Sequence, residues 1–137
     1  MNGNIVGKLY TYERRPEFYK VIKENVSNLG LDNVTVKNKD LIELSEKNVD
    51  LIVLDMLDPE NVLDVVVKAL KKGGFLVLYM PSITQIVSFL KKAVKKDLLP
   101  VRTVETLQRQ WKIEDKIVRP EFRMLGHTGF LSFFRKV

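Results

Sequence analysis

Apolar and polar positions along this chain switch between a helical and a strand-like period, and the order of the switches predicts the architecture. Lys8 to Tyr12 reads as a short strand ending at Glu13, and Pro16 suits the first turn of a helix, where its missing N–H costs nothing. Phe18, Val21, Ile22, Val26 and Leu29 then recur at helical spacing, with Gly30 placed to end the helix. Val34 to Val36 is a β-branched run leading to Asp40, and Leu51 to Leu54 is an unbroken apolar run leading to Asp55, the pattern of buried strands. Asp58 is expected to cap a helix with Pro59 at its first position and Val62, Leu63, Val66, Ala69 and Leu70 on its apolar face, stopped by Lys71-Lys72-Gly73-Gly74. Phe75 to Tyr79 predicts another buried strand. Ser82 with Gln85 predicts a capping box for a helix carrying Ile83, Ile86, Val87, Leu90 and Val94, after which Pro100 follows.

Beyond Pro100 the alternation stops. Val101 to Leu107 and Thr128 to Phe134 read as two strands, able to pair antiparallel, joined by an irregular charged segment with no helical pattern. Strand–helix units followed by a two-strand element predict a mixed α/β sheet with one reversed strand at or near its edge. No repeat or low-complexity tract interrupts the order.

Composition narrows the chemistry. A chain of 137 residues that is 45% hydrophobic is long enough for one domain with a core, expected here to span residues 1–137. There is no uncharged apolar run of about 18 residues, and the start MNGNIVGKLY lacks a signal-peptide core, so the expectation is a cytoplasmic protein with no membrane span. The absence of cysteine excludes disulfides, thiol catalysis and cysteine-ligated zinc, and a single histidine excludes His-rich metal sites, so no metal is expected. A net charge of +6 favours an anionic partner. Much of it sits in Lys68, Lys71, Lys72, Lys91, Lys92, Lys95 and Lys96, and on charge alone solvated faces near helix ends are the commoner reading.

Glu13, Asp40 and Asp55 each stand at or just past the C-terminal end of a predicted strand. In open α/β sheets the ligand crevice lies outside those ends. A carboxylate after an early strand can accept hydrogen bonds from both hydroxyls of a ribose, which makes Glu13 the ribose candidate. Asp40 can accept from an exocyclic amine of the same nucleoside, and Asp55 lies where reacting groups would meet. Singly, an acid after a strand is more often a cap or a solvated turn. Three in register point to a nucleoside ligand.

The runs Tyr12-Glu13-Arg14-Arg15-Pro16, Val53-Leu54-Asp55-Met56-Leu57-Asp58-Pro59, Leu70-Lys71-Lys72-Gly73-Gly74-Phe75, Tyr79-Met80-Pro81, Thr84-Gln85 and His127-Thr128-Gly129-Phe130 follow one another in an order that resembles the tRNA adenine-N1 methyltransferase family through nearly the whole chain. The resemblance implies a class I, Rossmann-like methyltransferase fold with S-adenosylmethionine as cofactor. It also implies tRNA as substrate, methylated at N1 of adenine 58 of the T-loop and in archaea sometimes also at 57, and assembly as a homotetramer. Glu60 stands where bacterial relatives often carry an aromatic residue, which leans the resemblance toward archaeal members. By the same resemblance Glu13 binds the cofactor ribose, Asp40 approaches its adenine, and Asp55 is the catalytic acid near the methionine group and the target base.

That assignment makes chemical sense. The N1 lone pair of adenine can attack a sulfonium methyl in line, so the protein mainly positions the partners and excludes water. A carboxylate at Asp55 would hold the 6-amino group and stabilise the positive charge growing on the ring, once the base has left its stack. Tyr79 and Met80 are candidate pocket walls, with buried core as the commoner role for such residues. His127 is read as structural, holding backbone or a neighbouring subunit through its ring nitrogens. Arg109 and Trp111, with Lys112, Lys116, Arg119 and Arg123, are candidates to stack on and clamp RNA, although a lone Trp is more often a core or interface residue.

The resemblance has one gap. The family's small N-terminal domain, first strand, glycine-rich cofactor loop and following helix should precede Glu13, where this sequence has twelve residues and no G-x-G fingerprint. Asn2-Gly3-Asn4-Ile5-Val6-Gly7 reads as the tail of that helix and its turn. The first strand normally lies between those that deliver Glu13 and Asp55, so the expectation is a sheet with a gap or two exposed edges, completed by a missing N-terminal half or by another copy. Two other readings are a non-catalytic tRNA-binding partner subunit and a nicotinamide-dependent oxidoreductase. The three acids speak against the first, and the terminal strand pair with His-Thr-Gly-Phe against the second.

Overall fold

A computed structural model describes residues 7–137, and the reading of Asn2 to Val6 as a helix tail lies outside them. The chain forms two compact units, one ending at Ser45 and one covering Glu46–Val137. In the first, strand β1 (Leu9–Tyr12) pairs in parallel with β2 (Val34–Lys37), Leu9 opposite Val34 and Tyr12 opposite Lys37. Helix α1 (Pro16–Asn28) connects them, with Pro16 in its first turn as the sequence predicts. It ends where Gly30 takes φ +61°, a left-handed conformation that only a residue without Cβ adopts at no cost. A single 3-10 turn, Leu41–Glu43, follows β2, capped by the Asp40 side chain. No described residue of this unit is buried. Phe18, on the apolar stripe of α1, is covered instead by the Arg15 guanidinium, 4.0 Å above its ring.

The second unit holds a four-stranded sheet in the order β3-β4-β8-β5, where β3 is Val49–Leu54, β4 Leu70–Met80, β5 Leu98–Glu105 and β8 Phe130–Lys136. β3 and β4 run parallel, and β8 runs antiparallel to both β4 and β5. The reversed strand therefore lies one in from the edge, as the terminal strand pair predicts. Helices α2 (Leu63–Ala69) and α3 (Ile83–Ala93) supply Leu63, Val66, Ile86, Phe89 and Ala93 to a core that also takes in Ile52, Leu54, Leu76, Leu78 and Phe134. Phe89 and Phe134 meet edge to face, with centroids 5.4 Å apart. Alternation along the strands sends Leu51, Val53 and Phe75 to the opposite face, where Leu51 and Val53 are 52% and 57% exposed. Among the described residues β1 and β3 each pair on one side only and belong to separate sheets.

Local details differ from expectation at four places. Asp58 does not cap a helix: it sits at φ +51° with no side-chain cap bond, and Pro59–Val62 form a 3-10 turn before α2 begins. Ser82 occupies the cap position of α3, but its hydroxyl pairs with that of Thr84 at 2.7 Å, so the capping box with Gln85 does not form. The segment read as irregular contains a hairpin, β6 (Trp111–Glu114) against β7 (Ile117–Pro120), whose turn uses Asp115 at φ +49°. The Lys-Lys-Gly-Gly run is also more than a helix stop. It opens β4, and a Cβ on Gly74 would lie 2.9 Å from the Lys71 carbonyl and 3.1 Å from that of Val49. The C-terminal end of α2 is closed from β8, where Lys136 Nζ donates to the carbonyls of Val67 and Leu70.

Candidate functional site

Glu13 follows β1 directly and Asp40 follows β2 by three residues, so both lie beyond the carboxyl ends of a parallel pair. The loops carrying them are tied together. Glu13 N–H donates to the Lys37 carbonyl at 3.0 Å, and the Asn38 amide donates to the Glu13 carbonyl at 2.8 Å. Glu13 does not stand open. Arg15 donates Nε to Oε1 and a second guanidinium N–H to Oε2, both at 2.9 Å, and its backbone N–H also reaches Oε1. This fork, more than any other influence, lowers the Glu13 pKa from 4.5 to about 2, with the side chain 15% exposed.

A carboxylate offers about four lone-pair positions. Three are taken by Arg15, so a diol can be accepted at Oε2 as it stands, and at both oxygens only if the Arg15 side chain turns away. Asp40 Oδ1 accepts from Ile42 N–H at 3.0 Å, while Oδ2 faces Arg14 at 3.7 Å and retains acceptor capacity. Both acids can therefore serve a nucleoside, Asp40 without rearrangement. Arg15 and Asn38 escaped the sequence reading. The only signal for Arg15 was its place two residues after an acid at a strand end.

In the second unit Asp55 follows the last residue of β3. Leu54 pairs with Leu78, so Asp55 and Tyr79 leave adjacent strands at the same level and point to the face opposite the core. The Asp55 carboxylate is exposed and has no hydrogen bond or ion pair among the described residues. Met80 is buried core, whereas Tyr79 is half-buried and donates its hydroxyl to the Thr128 carbonyl at 2.9 Å. The His-Thr-Gly-Phe run lies against these strand ends. His127 contacts Glu105 and the Pro81 carbonyl, both at 2.6 Å, and its ring packs on Phe130 with centroids 4.9 Å apart. One of these partners is a backbone carbonyl, the kind of contact expected of a histidine that holds backbone.

Trp111 is 58% exposed at the start of the β6–β7 hairpin, and so is not a core residue of this unit. Arg109, just before it, is exposed as well. Of the neighbouring cations, Lys112 pairs with Glu114 at 2.8 Å and Arg119 lies 3.9 Å over the Phe122 ring. Among the described residues no group of three His, Cys, Asp or Glu side chains could hold a metal ion, and no helix is long and apolar enough to cross a membrane.

A parallel strand–helix arrangement with acids beyond its strand ends and a reversed strand next to the edge is the plan of S-adenosylmethionine-dependent methyltransferases. Solved structures bear out that class: the chain superposes on a SAM-dependent O-methyltransferase of Thermotoga maritima with a TM-score of 0.88 at 37% identity, covering 96% of this chain and 50% of that one. It superposes on the tRNA (m1A58) methyltransferase TrmI of Aquifex aeolicus with a TM-score of 0.83 at 28% identity, covering 95% and 53%. Residues 4–119 match the family model described as the tRNA methyltransferase complex GCD14 subunit, and the chain belongs to that family. It is 36% identical to the tRNA (adenine(57)-N(1)/adenine(58)-N(1))-methyltransferase TrmI of Methanocaldococcus jannaschii over 94% of this chain and 56% of the relative. It is 32% identical to the tRNA (adenine(58)-N(1))-methyltransferase TrmI of Thermus thermophilus over 95% and 52%. The chain thus spans about half the length of the curated relatives it matches.

Proposed function

We propose that this chain carries part of an enzyme that transfers a methyl group from S-adenosylmethionine to N1 of adenine in the T-loop of tRNA. The observation that carries the reading is the match to adenine-N1 methyltransferases that extends through both units, with an acid just beyond each of three strands. On this reading both units belong to one methyltransferase domain, in which Glu13 binds the cofactor ribose and Asp40 its adenine. Bound S-adenosylmethionine supplies an electrophilic methyl on a sulfonium. Asp55, uncommitted to any described partner, accepts from the 6-amino group of the target adenine and balances the charge that grows on the ring as N1 attacks. Adenine N1 needs no deprotonation, so no general base is required. Tyr79 forms a wall of the base site, and Trp111 and Arg109 contact RNA by stacking and by charge. The Thermotoga relative's name specifies an oxygen acceptor, but both curated relatives act at a ring nitrogen, and an open carboxylate at Asp55 suits an amino-bearing base. The finer assignments are adenine 58 with 57 in addition, an archaeal type, a cytoplasmic setting and a homotetramer. Kinship to the Methanocaldococcus enzyme supports the archaeal type and the pair of positions.

Calorimetric titration of the chain with S-adenosylmethionine, with NAD as control, tests the cofactor. Micromolar binding of S-adenosylmethionine alone supports the reading, and preference for NAD overturns it in favour of an oxidoreductase. Methyl transfer to tRNA is measured in the protein restored to the length of its relatives. Asp55→Ala should abolish transfer there while leaving the fold intact, and undiminished transfer refutes the catalytic role. A tRNA mobility shift with neither cofactor binding nor methylation would favour the partner subunit.

A further inference from the structure

His127 is the one histidine of the chain, and both of its ring nitrogens face acceptors. Nδ1 lies 2.6 Å from Glu105 Oε1 at the end of β5, and Nε2 lies 2.6 Å from the Pro81 carbonyl between β4 and α3. A carboxylate and a carbonyl have no hydrogen to give. A neutral imidazole carries one N–H, so in either tautomer it would turn a lone pair toward one of these oxygens, whereas an imidazolium donates to both. The next residues complete the arrangement. The Thr128 carbonyl accepts the Tyr79 hydroxyl, and Gly129 leaves room for the Tyr79 ring, since a Cβ there would lie 2.5 Å from Cζ.

We propose that His127–Gly129 is a positioning clamp, locked by the doubly donating imidazolium of His127, that fixes Tyr79 and Pro81 at the carboxyl end of β4 beside Asp55. The importance of Tyr79 for catalysis rests on the function proposed above; the clamp itself does not. Elements packed on the ring present Glu105 from β5, the Pro81 carbonyl after β4 and Phe130 from β8, and Glu105 is the charged side chain acting on it. The carboxylate contact first, then the carbonyl contact, raise the His127 pKa above its usual 6.5. The clamp is therefore fully formed below the ordinary histidine pKa and released as pH rises through the higher folded value.

The test needs no enzymatic activity. In the full chain labelled with 15N-histidine, long-range 1H–15N spectra report a single ring. At pH 6.5 both nitrogens should be predominantly protonated, with a titration midpoint above 6.5, and the Tyr79 ring and Thr128 amide signals should move with the same midpoint. Glu105→Gln should lower that midpoint, because the carboxylate is the larger of the two influences that raise it. A midpoint at or below 6.5 overturns the imidazolium lock. Tyr79 signals that ignore the histidine titration overturn the clamp. Neither result bears on cofactor binding or methyl transfer, which succeed or fail by the separate assays above.

Discussion

Replacing Gly129 with alanine should destabilise the second unit through one identifiable neighbour. The added Cβ would sit 2.5 Å from Tyr79 Cζ and 2.6 Å from its hydroxyl oxygen, against an optimal carbon–carbon separation of about 3.5–4.0 Å. The ring must therefore retreat by about 1 Å, a displacement worth about 1–3 kcal/mol in packed surroundings. It also carries the hydroxyl away from the Thr128 carbonyl, now at 2.9 Å, which removes a hydrogen bond worth about 0.5–1.5 kcal/mol. Opposing this, alanine narrows the unfolded ensemble by about 0.4–1 kcal/mol. The net expected loss is about 0.5–4 kcal/mol. A double-mutant cycle with Tyr79→Ala isolates the cause. Urea unfolding followed by circular dichroism should show Gly129→Ala to be costly beside Tyr79 and neutral or slightly stabilising once the ring is gone. Equal costs in both backgrounds would refute the steric argument and point to the Gly129 backbone.

The other outcomes can be checked quickly. Arg15→Ala should return the Glu13 pKa from about 2 toward 4.5 in a carboxyl NMR titration. Because Glu13 is depressed by folding, the stability from this contact is fully present above the unfolded value and is lost as pH falls through the folded one. The same variant should not weaken S-adenosylmethionine binding, since Arg15 occupies lone pairs the ribose would use, whereas Glu13→Ala should cost about 1.5–3 kcal/mol of cofactor affinity by calorimetry. Trp111→Ala should weaken tRNA binding by about 1–3 kcal/mol with little salt dependence, while Arg109→Ala should flatten the salt dependence itself. Unchanged tRNA affinity in both would remove the hairpin from the RNA surface.

Much of this fold is legible because its elements are separated by residues with strong backbone preferences. Pro16 and Gly30 bracket α1, and runs such as Leu51 to Leu54 and Phe75 to Tyr79 are too short and too apolar for anything but strands, although one face of the first stays exposed at Leu51 and Val53. The β6–β7 hairpin escaped because its turn is Asp115-Lys116 rather than a glycine-bearing pair, and because its strands show charged residues between the apolar ones. The two failed caps share a cause. Asp58 and Ser82 are of the right type, but where the chain turns depends on tertiary context: a left-handed backbone at Asp58 and a competing hydroxyl on Thr84. At the site, sequence order placed Glu13, Asp40 and Asp55 beyond strand ends correctly. It gave no sign that Glu13 is held by its own neighbour Arg15, nor that Thr128 and Gly129 contact Tyr79 near the end of β4 and His127 contacts Pro81 just after it, since these last contacts join residues far apart in the chain.

β8 lies between β4 and β5 although it comes after every other described element. During synthesis β5 thus has no strand to join until residues 130–136 leave the ribosome, and β4 waits with one edge open and Leu76 and Leu78 already made. Lys136 is added later still, so the last turn of α2 also waits for its cation. A ribosome stalled before Phe130 would hold a nascent chain whose helices and parallel pair can form but whose sheet cannot close, the interval in which a chaperone or a protease would find it most open.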